Sequence, residues 1–157
     1  MGRLTERLGS FSIIGLDTAI FIYHFEENPA YLPLTRELLS SIESGQRKGI
    51  TSTITLMEII VKPLALKQIA VARKYEALLV NFPNLAVVDL DRDVIRQAAR
   101  LRAAYRIRPP DALQAGACLL NGAEVFITND ALLKRLQEKM DVIILDDFIG
   151  DRQREKA

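Results

Sequence analysis

Cysteine and histidine occur once each among the 157 residues, and that scarcity excludes two kinds of site at the outset. A lone Cys118 cannot close an internal disulfide, and one Cys with one His cannot ligate a structural zinc. Cys118 sits in an apolar stretch, where a thiol is inert packing rather than a nucleophile. An excess of either charge is lacking too. The 21 Lys and Arg offset 20 Asp and Glu to leave +1, so overall charge does not mark a nucleic-acid binder and such a role needs a local basic stripe. No apolar run approaches the roughly 20 residues of a membrane span. The leading MGRLTERLGS has no hydrophobic stretch of a secretion signal. A soluble, cytoplasmic protein is expected. Phosphate-cradling loops, G-x-x-x-x-G-K-[ST] or G-x-G-x-x-G, are missing. So are internal repeats, linkers and low-complexity segments. We therefore expect one domain over residues 1–157, with a core from about residue 11 to 148 and flexible ends at 1–10 and 151–157.

What the chain does have is organised around Arg108 to Asp130, RPPDALQAGACLLNGAEVFITND. Pro109 and Pro110 suit the first helical positions and put Asp111 in the first turn. Asn121 and Gly122 stop the helix. Ala112, Leu113, Ala115, Gly116, Ala117, Cys118, Leu119 and Leu120 leave almost no polar face, as expected of a helix packed deep against a sheet. Val125 to Ile127 then reads as a strand covered on both faces, ending in Thr128, Asn129 and Asp130. A helix that returns through a short turn into a strand runs roughly antiparallel to it, so Asp111 and Asp130 should face the same, carboxyl edge of the sheet.

The rest of the chain repeats the alternation. Strands are expected at Phe11–Leu16, Ile50–Ser52, Leu85–Leu90 and Val142–Leu145. Helices are expected over residues 18–25, 34–45, 53–63, 66–79, 92–105 and 131–140, with Ile69, Ala72, Ala77 and Leu78 as the inner face of the fourth. This pattern predicts an α/β layer fold with a mostly parallel sheet. In it, Asp17 closes the first strand, and Glu58 lies about one turn into the helix that follows the second. All four acids then reach one edge.

Each acid also has an ordinary structural explanation. Asp111 favours the positive end of its helix dipole. Glu58 closes a capping box with Thr55 if the helix starts there. Asp17 and Asp130 suit strand-end turns. As a set these explanations weaken, because four carboxylates at the mouth of an apolar sheet repel one another and lose hydration unless a cation joins them. Oxygen ligands without His or Cys select hard cations, Mg²⁺ or Mn²⁺, whose natural use is phosphodiester chemistry. Thr128 and Thr18 offer hydroxyls to orient a carboxylate or water, although a strand-end Thr equally bonds its own backbone. Two other carboxylate chemistries fail on spacing. Asp17-Thr18-Ala19 lacks the Asp-x-Asp of haloacid dehalogenase-type hydrolases, and a receiver domain's acid pair and late Lys are missing.

These residues resemble those of the PIN domain family, in particular VapC-type toxins, from about Ile13 to Phe148. Asp17 in GLDTAIFIY, Glu58 in TSTITLMEII, Asp111 in RPPDALQAGACLLNGA and Asp130 in FITND match the family's four acids in order and setting, and Thr128 matches the accompanying Ser/Thr. Ala19 stands where relatives often carry Ser or Asn. The resemblance implies a three-layer fold with sheet order 3-2-1-4-5 and Mg²⁺- or Mn²⁺-dependent ribonuclease activity with Asp17, Glu58, Asp111 and Asp130 as metal ligands. It also implies homodimers and a small inhibitory antitoxin. A metal-dependent endoribonuclease acting as the toxin of a toxin–antitoxin pair is the leading expectation. The alternatives are a PIN-domain ribonuclease of RNA processing without an antitoxin and a non-catalytic PIN-like interaction module. Arg106 and Arg108 are read as contacts to the RNA backbone, whereas Arg92, Arg96 and Arg100 read as a solvated helix face. His24 is read as packed or interfacial rather than catalytic, and Asp146 and Asp147, at the end of the last strand, either border the site or, as an edge-strand position favours, lie in water.

Overall fold

Four short apolar runs and one weaker one pair into a single sheet, and their order fixes where the acids go. The structure is a computed structural model that describes residues 3–150. Its elements are α1 (Arg3–Leu8), β1 (Ile13–Leu16), α2 (Thr18–Phe25), α3 (Leu32–Glu43), β2 (Lys48–Ser52), α4 (Thr53–Ala65), α5 (Ile69–Val80), β3 (Leu85–Val88), α6 (Arg92–Tyr105), α7 (Pro109–Leu120), β4 (Val125–Thr128) and β5 (Asp141–Ile144), with 3₁₀ turns at Ala131–Leu136 and Leu145–Phe148. The strands lie in the order β3-β2-β1-β4-β5 and every pairing is parallel. Parallel pairing sends all five carboxyl ends to one edge. β1 is central, with Gly15 opposite Ile50 of β2 on one side and Phe126 of β4 on the other.

Helices cover both faces, which is why β1 and β4 read as continuous apolar runs. Along β4 the side chains alternate. Val125 and Ile127 join Leu4, Leu8, Phe21, Leu38 and Leu39 beneath α1 to α5, while Phe126 joins Leu101, Ala112, Ala115 and Cys118 beneath α6 and α7. The small residues of α7 bring it close to the sheet. A methyl group on Gly15 would sit 2.9 Å from Cys118 Cβ and 3.1 Å from a Phe126 ring carbon. We expect Gly15→Ala to destabilise the domain by about 1–3 kcal/mol through overpacking, read as a lower urea midpoint at unchanged slope. An unchanged midpoint would show that α7 can back away.

Three expectations need correction. Residues 1–10 are not wholly a loose lead-in: Leu4 and Leu8, one turn apart on α1, are buried, and the buried Arg47 guanidinium ties down the following Gly9 and Phe11 carbonyls. The other expected flexible end, 151–157, lies outside the described residues. The segment from Ala131 is a 3₁₀ turn rather than an α-helix to Met140. Its buried Leu133 and Leu136 are three residues apart, the repeat of a 3₁₀ turn. In α5 the buried pair is Ala72 and Leu79, while Ile69 and Leu78 are exposed, because α5 packs on α4 beside the edge strand β3 rather than on the middle of the sheet.

Candidate metal centre

Asp17 leaves the end of β1 in extended backbone and caps α2, its Oδ1 accepting from the Thr18 backbone N–H at 2.8 Å. Capping uses one oxygen and orients the other. Oδ2 accepts from the Thr128 hydroxyl at 2.7 Å, across the β1–β4 seam. Thr128 is fully buried at the end of β4, and its Oγ1 also accepts from the Asp130 N–H at 3.2 Å. The two readings of Thr128 are therefore both true: one hydroxyl orients a carboxylate and braces its own strand end. Asp130 caps the 3₁₀ turn in the same manner, Oδ1 accepting from Leu132 N–H at 3.0 Å.

Asp111 is the third residue of α7, partly buried, and receives Arg108 Nε at 3.0 Å. Arg108 Nη2 lies 3.7 Å from Asp130 Oδ2, so one guanidinium stands between two of the acids. Glu58 rises from the second turn of α4, where it accepts from the Thr18 hydroxyl at 3.1 Å. Its capping-box explanation fails. Ser52 is the N-cap, bonding Ile54 N–H, and Glu58 lies six residues beyond it.

Electrostatics couples Asp17, Glu58 and Asp111, and Arg108 links Asp130 to them. Burial pushes the Asp17 carboxyl above its ordinary range, against its hydrogen bonds from Thr128 and Thr18, and the Asp111 charge adds to the rise. Burial also raises Glu58, with the Asp17 and Asp111 charges acting in the same direction. These are like charges held within range of each other, which a cation would relieve. Asp17, Glu58, Asp111 and Asp130 with the Thr128 hydroxyl form a donor set of oxygen alone, suited to a hard divalent ion. Among the described residues no three Asp, Glu, His or Cys side chains are drawn together tightly enough to ligate an ion as they stand. Two of the acids instead share the Arg108 guanidinium, whose side chain is 74% exposed, so moving it aside costs little.

Of the other residues singled out, Arg108 reaches the acids whereas Arg106 closes α6 in a left-handed turn, with φ of 54°, its carbonyl accepting from Arg135. His24 is packed, its Nδ1 3.1 Å from the Thr35 hydroxyl. Asp146 accepts from Tyr31 OH at 2.6 Å, beside Asn129, and Asp147 pairs with Lys134 on the surface.

Sequence reasoning missed what lies beneath the acids. Gln114, in the helix read as having almost no polar face, is buried and donates through Nε2 to Thr55 Oγ1 at 2.6 Å, while its Oε1 accepts from the Ser52 hydroxyl. Thr18, Thr51 and Thr55 are buried around it. The signal was present. A single amide inside an otherwise apolar helix has to find partners, and the hydroxyls of TSTIT were the ones on offer.

A parallel five-stranded sheet in this order, with four carboxylates toward its carboxyl edge, defines an α/β protein with an acidic edge. The PIN domain family model matches residues 14–139, and the chain belongs to that family. Several solved structures share the fold. VapBC2 from Rickettsia felis, bound to a DNA fragment from its promoter, is 20% identical, with 84% of this chain and 98% of that chain covered at a TM-score of 0.65. FitAcB from Neisseria gonorrhoeae is 18% identical, covering 85% and 97% at 0.62. A toxin–antitoxin complex from Klebsiella pneumoniae is 20% identical, covering 85% and 97% at 0.60. No curated protein matches the chain in sequence.

Proposed function

We propose that this PIN domain is a Mg²⁺- or Mn²⁺-dependent endoribonuclease and the toxin of a VapBC-type pair. The observation that carries the reading is the convergence of Asp17, Glu58, Asp111 and Asp130 on one sheet edge, with two of them already sharing a cation from Arg108. Asp17, Glu58, Asp111 and Asp130 would hold the ion. An ion held there would supply Lewis acidity to a phosphate oxygen and lower the pKa of a bound water, so that hydroxide is available near neutral pH. Thr128 keeps Asp17 Oδ2 turned toward the site, and the capped Asp130 is held with its Oδ2 on the Arg108 side. Arg108, released from Asp111 and Asp130, is free to pair with the RNA phosphate being cleaved.

The toxin assignment is supported by the solved relatives, which are toxin–antitoxin complexes, and by an apolar surface on α4. Met57, Val61 and Leu64 are about half exposed and line one groove with Leu56 and Ile60. Such a groove suits the apolar face of an antitoxin segment or a second copy of the chain. The homodimer is implied by the family resemblance and by the apolar sequence of the helices between Phe21 and Leu39. Phe21, Leu34, Leu38 and Leu39 are core, so within that stretch a dimer would draw on the partly exposed Ile22, Tyr23, Phe25, Tyr31 and Leu32.

The direct test is incubation of the purified chain with single-stranded RNA and either ion. Internal cleavage that stops on chelation is expected; cleavage that persists in chelator, or none with either ion, would refute the reading. Within that assay, Arg108→Gln should lower turnover by about tenfold or more by removing a phosphate contact, while Mg²⁺ is bound more tightly because the competing cation is gone. Lowered turnover with weakened metal binding would mean that Arg108 has another role.

A further inference from the structure

Resting on that reading, we infer that Gln114 is a positioning residue: by occupying Thr55 it leaves the Thr18 hydroxyl free to hold Glu58 in the metal centre. Glu58 is the acid most in need of holding. Asp17 and Asp130 are short side chains fixed by capping, and Asp111 is paired to Arg108, whereas Glu58 has three side-chain torsions, is only partly buried and receives the Thr18 hydroxyl at 3.1 Å.

Thr51 donates to the Leu16 carbonyl at 2.9 Å, which spends its only hydroxyl proton. Its 2.7 Å contact with Thr55 must therefore use the proton of Thr55. Thr55 then has none left for its 3.0 Å contact with Thr18, so that contact needs the proton of Thr18. The same proton is wanted by Glu58 Oε1 at 3.1 Å. Two acceptors compete for one donor. Gln114 weights the competition, because its Nε2 donates to Thr55 at 2.6 Å and keeps that oxygen hydrogen-bonded when the Thr18 proton goes to Glu58. The amide is itself locked, its Oε1 accepting from Ser52 and its Nε2 within 3.4 Å of Thr18 Oγ1 and the Leu16 carbonyl. The arrangement is buried, with Gln114, Thr18, Ser52, Thr51 and Thr55 all in the interior, where unmade hydrogen bonds cost most.

The consequence is a suppressor relationship that ordinary packing would not produce. Replacing Gln114 by an apolar residue leaves Thr55 short of a donor, draws the Thr18 proton to it and frees Glu58. Removing the Thr55 oxygen as well abolishes the rival acceptor and returns the proton to Glu58. The readout is Mn²⁺ affinity, measured by calorimetry on the full chain without RNA. Gln114→Met should weaken Mn²⁺ binding by about tenfold. The double variant Gln114→Met with Thr55→Val should recover to within about threefold of wild type, and Thr18→Ser should bind as wild type does while Thr18→Val matches Gln114→Met. If Gln114→Met alone does not fold, the double variant is measured by itself and wild-type-like affinity is expected, since it removes the Nε2 donor and its Thr55 acceptor together. Wild-type affinity in Gln114→Met, or a double variant as weak as the single one, would overturn the inference while the metal centre stood. Wild type that binds no Mn²⁺, or Glu58→Gln that binds as tightly as wild type, would overturn the metal reading and this inference with it.

Discussion

Induced alone in bacteria, the wild-type chain is expected to arrest growth, and Asp111→Ala to abolish the arrest while remaining soluble. The substitution suits the test because Asp111 does little for the fold. It sits in the first turn of α7, where alanine keeps helical geometry, and its charged partner is the exposed Arg108. Losing the helix-dipole interaction and an ion pair whose Arg108 side is solvent-exposed costs about 0.5–1 kcal/mol, too little to unfold a domain of ordinary stability. Loss of a ligand removes turnover itself. A non-catalytic RNA-binding module would respond in the opposite direction, since deleting a negative charge near phosphate strengthens binding. Equal arrest by wild type and by soluble Asp111→Ala would end the catalytic interpretation.

Asp17→Asn is the second decisive change, with cleavage expected to fall at least a hundredfold and the fold to survive. Asparagine keeps an oxygen for the Thr18 N–H and places its amide against Thr128 Oγ1, where the hydroxyl can turn from donor to acceptor. The net change is about 1 kcal/mol or less. The pH dependence has a definite sign. Burial raises the folded-state pKa of Asp17 above its unfolded value, so the folded chain binds more protons through that interval. This contribution to stability is fully present below the unfolded pKa and is lost as pH rises through the folded one. Metal-free wild type should thus lose stability on going from acid toward neutral pH, and Asp17→Asn should lose less. Thermal melts of both in chelator over that range provide the check; parallel curves would show that the Asp17 charge is not strained. Adding Mn²⁺ should stabilise wild type at neutral pH and Asp17→Asn much less.

The sheet and the place of the acids were legible because the relevant signals are local. Ile13–Leu16 and Val125–Thr128 are apolar runs that end in acids, α7 begins at its prolines, and α6 spans Arg92–Tyr105 as its periodicity indicates. Parallel pairing then carries Asp17 and Asp130 to the same edge whatever the details. Three things were illegible for physical reasons. The α1 helix buries only Leu4 and Leu8, too brief a stretch to show a period. The exposure of Ile69 and Leu78 depends on where the sheet ends, which no helix can report by itself. Gln114 was lost to averaging: surrounded by Ala, Gly and Leu it hardly alters an apolar pattern, yet its partners come from β1, β2, α2 and α4, brought together only by tertiary structure.

The position of β1 between β2 and β4 bears on when, as well as how, the centre forms. Asp17 emerges early in synthesis, but the Thr128 hydroxyl that braces it belongs to a strand 111 residues later in the chain. Closing so long a loop is entropically slow, and β1 has only one of its two strand neighbours until β4 arrives. A nascent chain therefore carries the first two acids without the seam that organises them. On the proposed activity, the four-acid centre is incomplete until Asp130 has been added and β4 has docked, so a nascent chain cannot cut RNA.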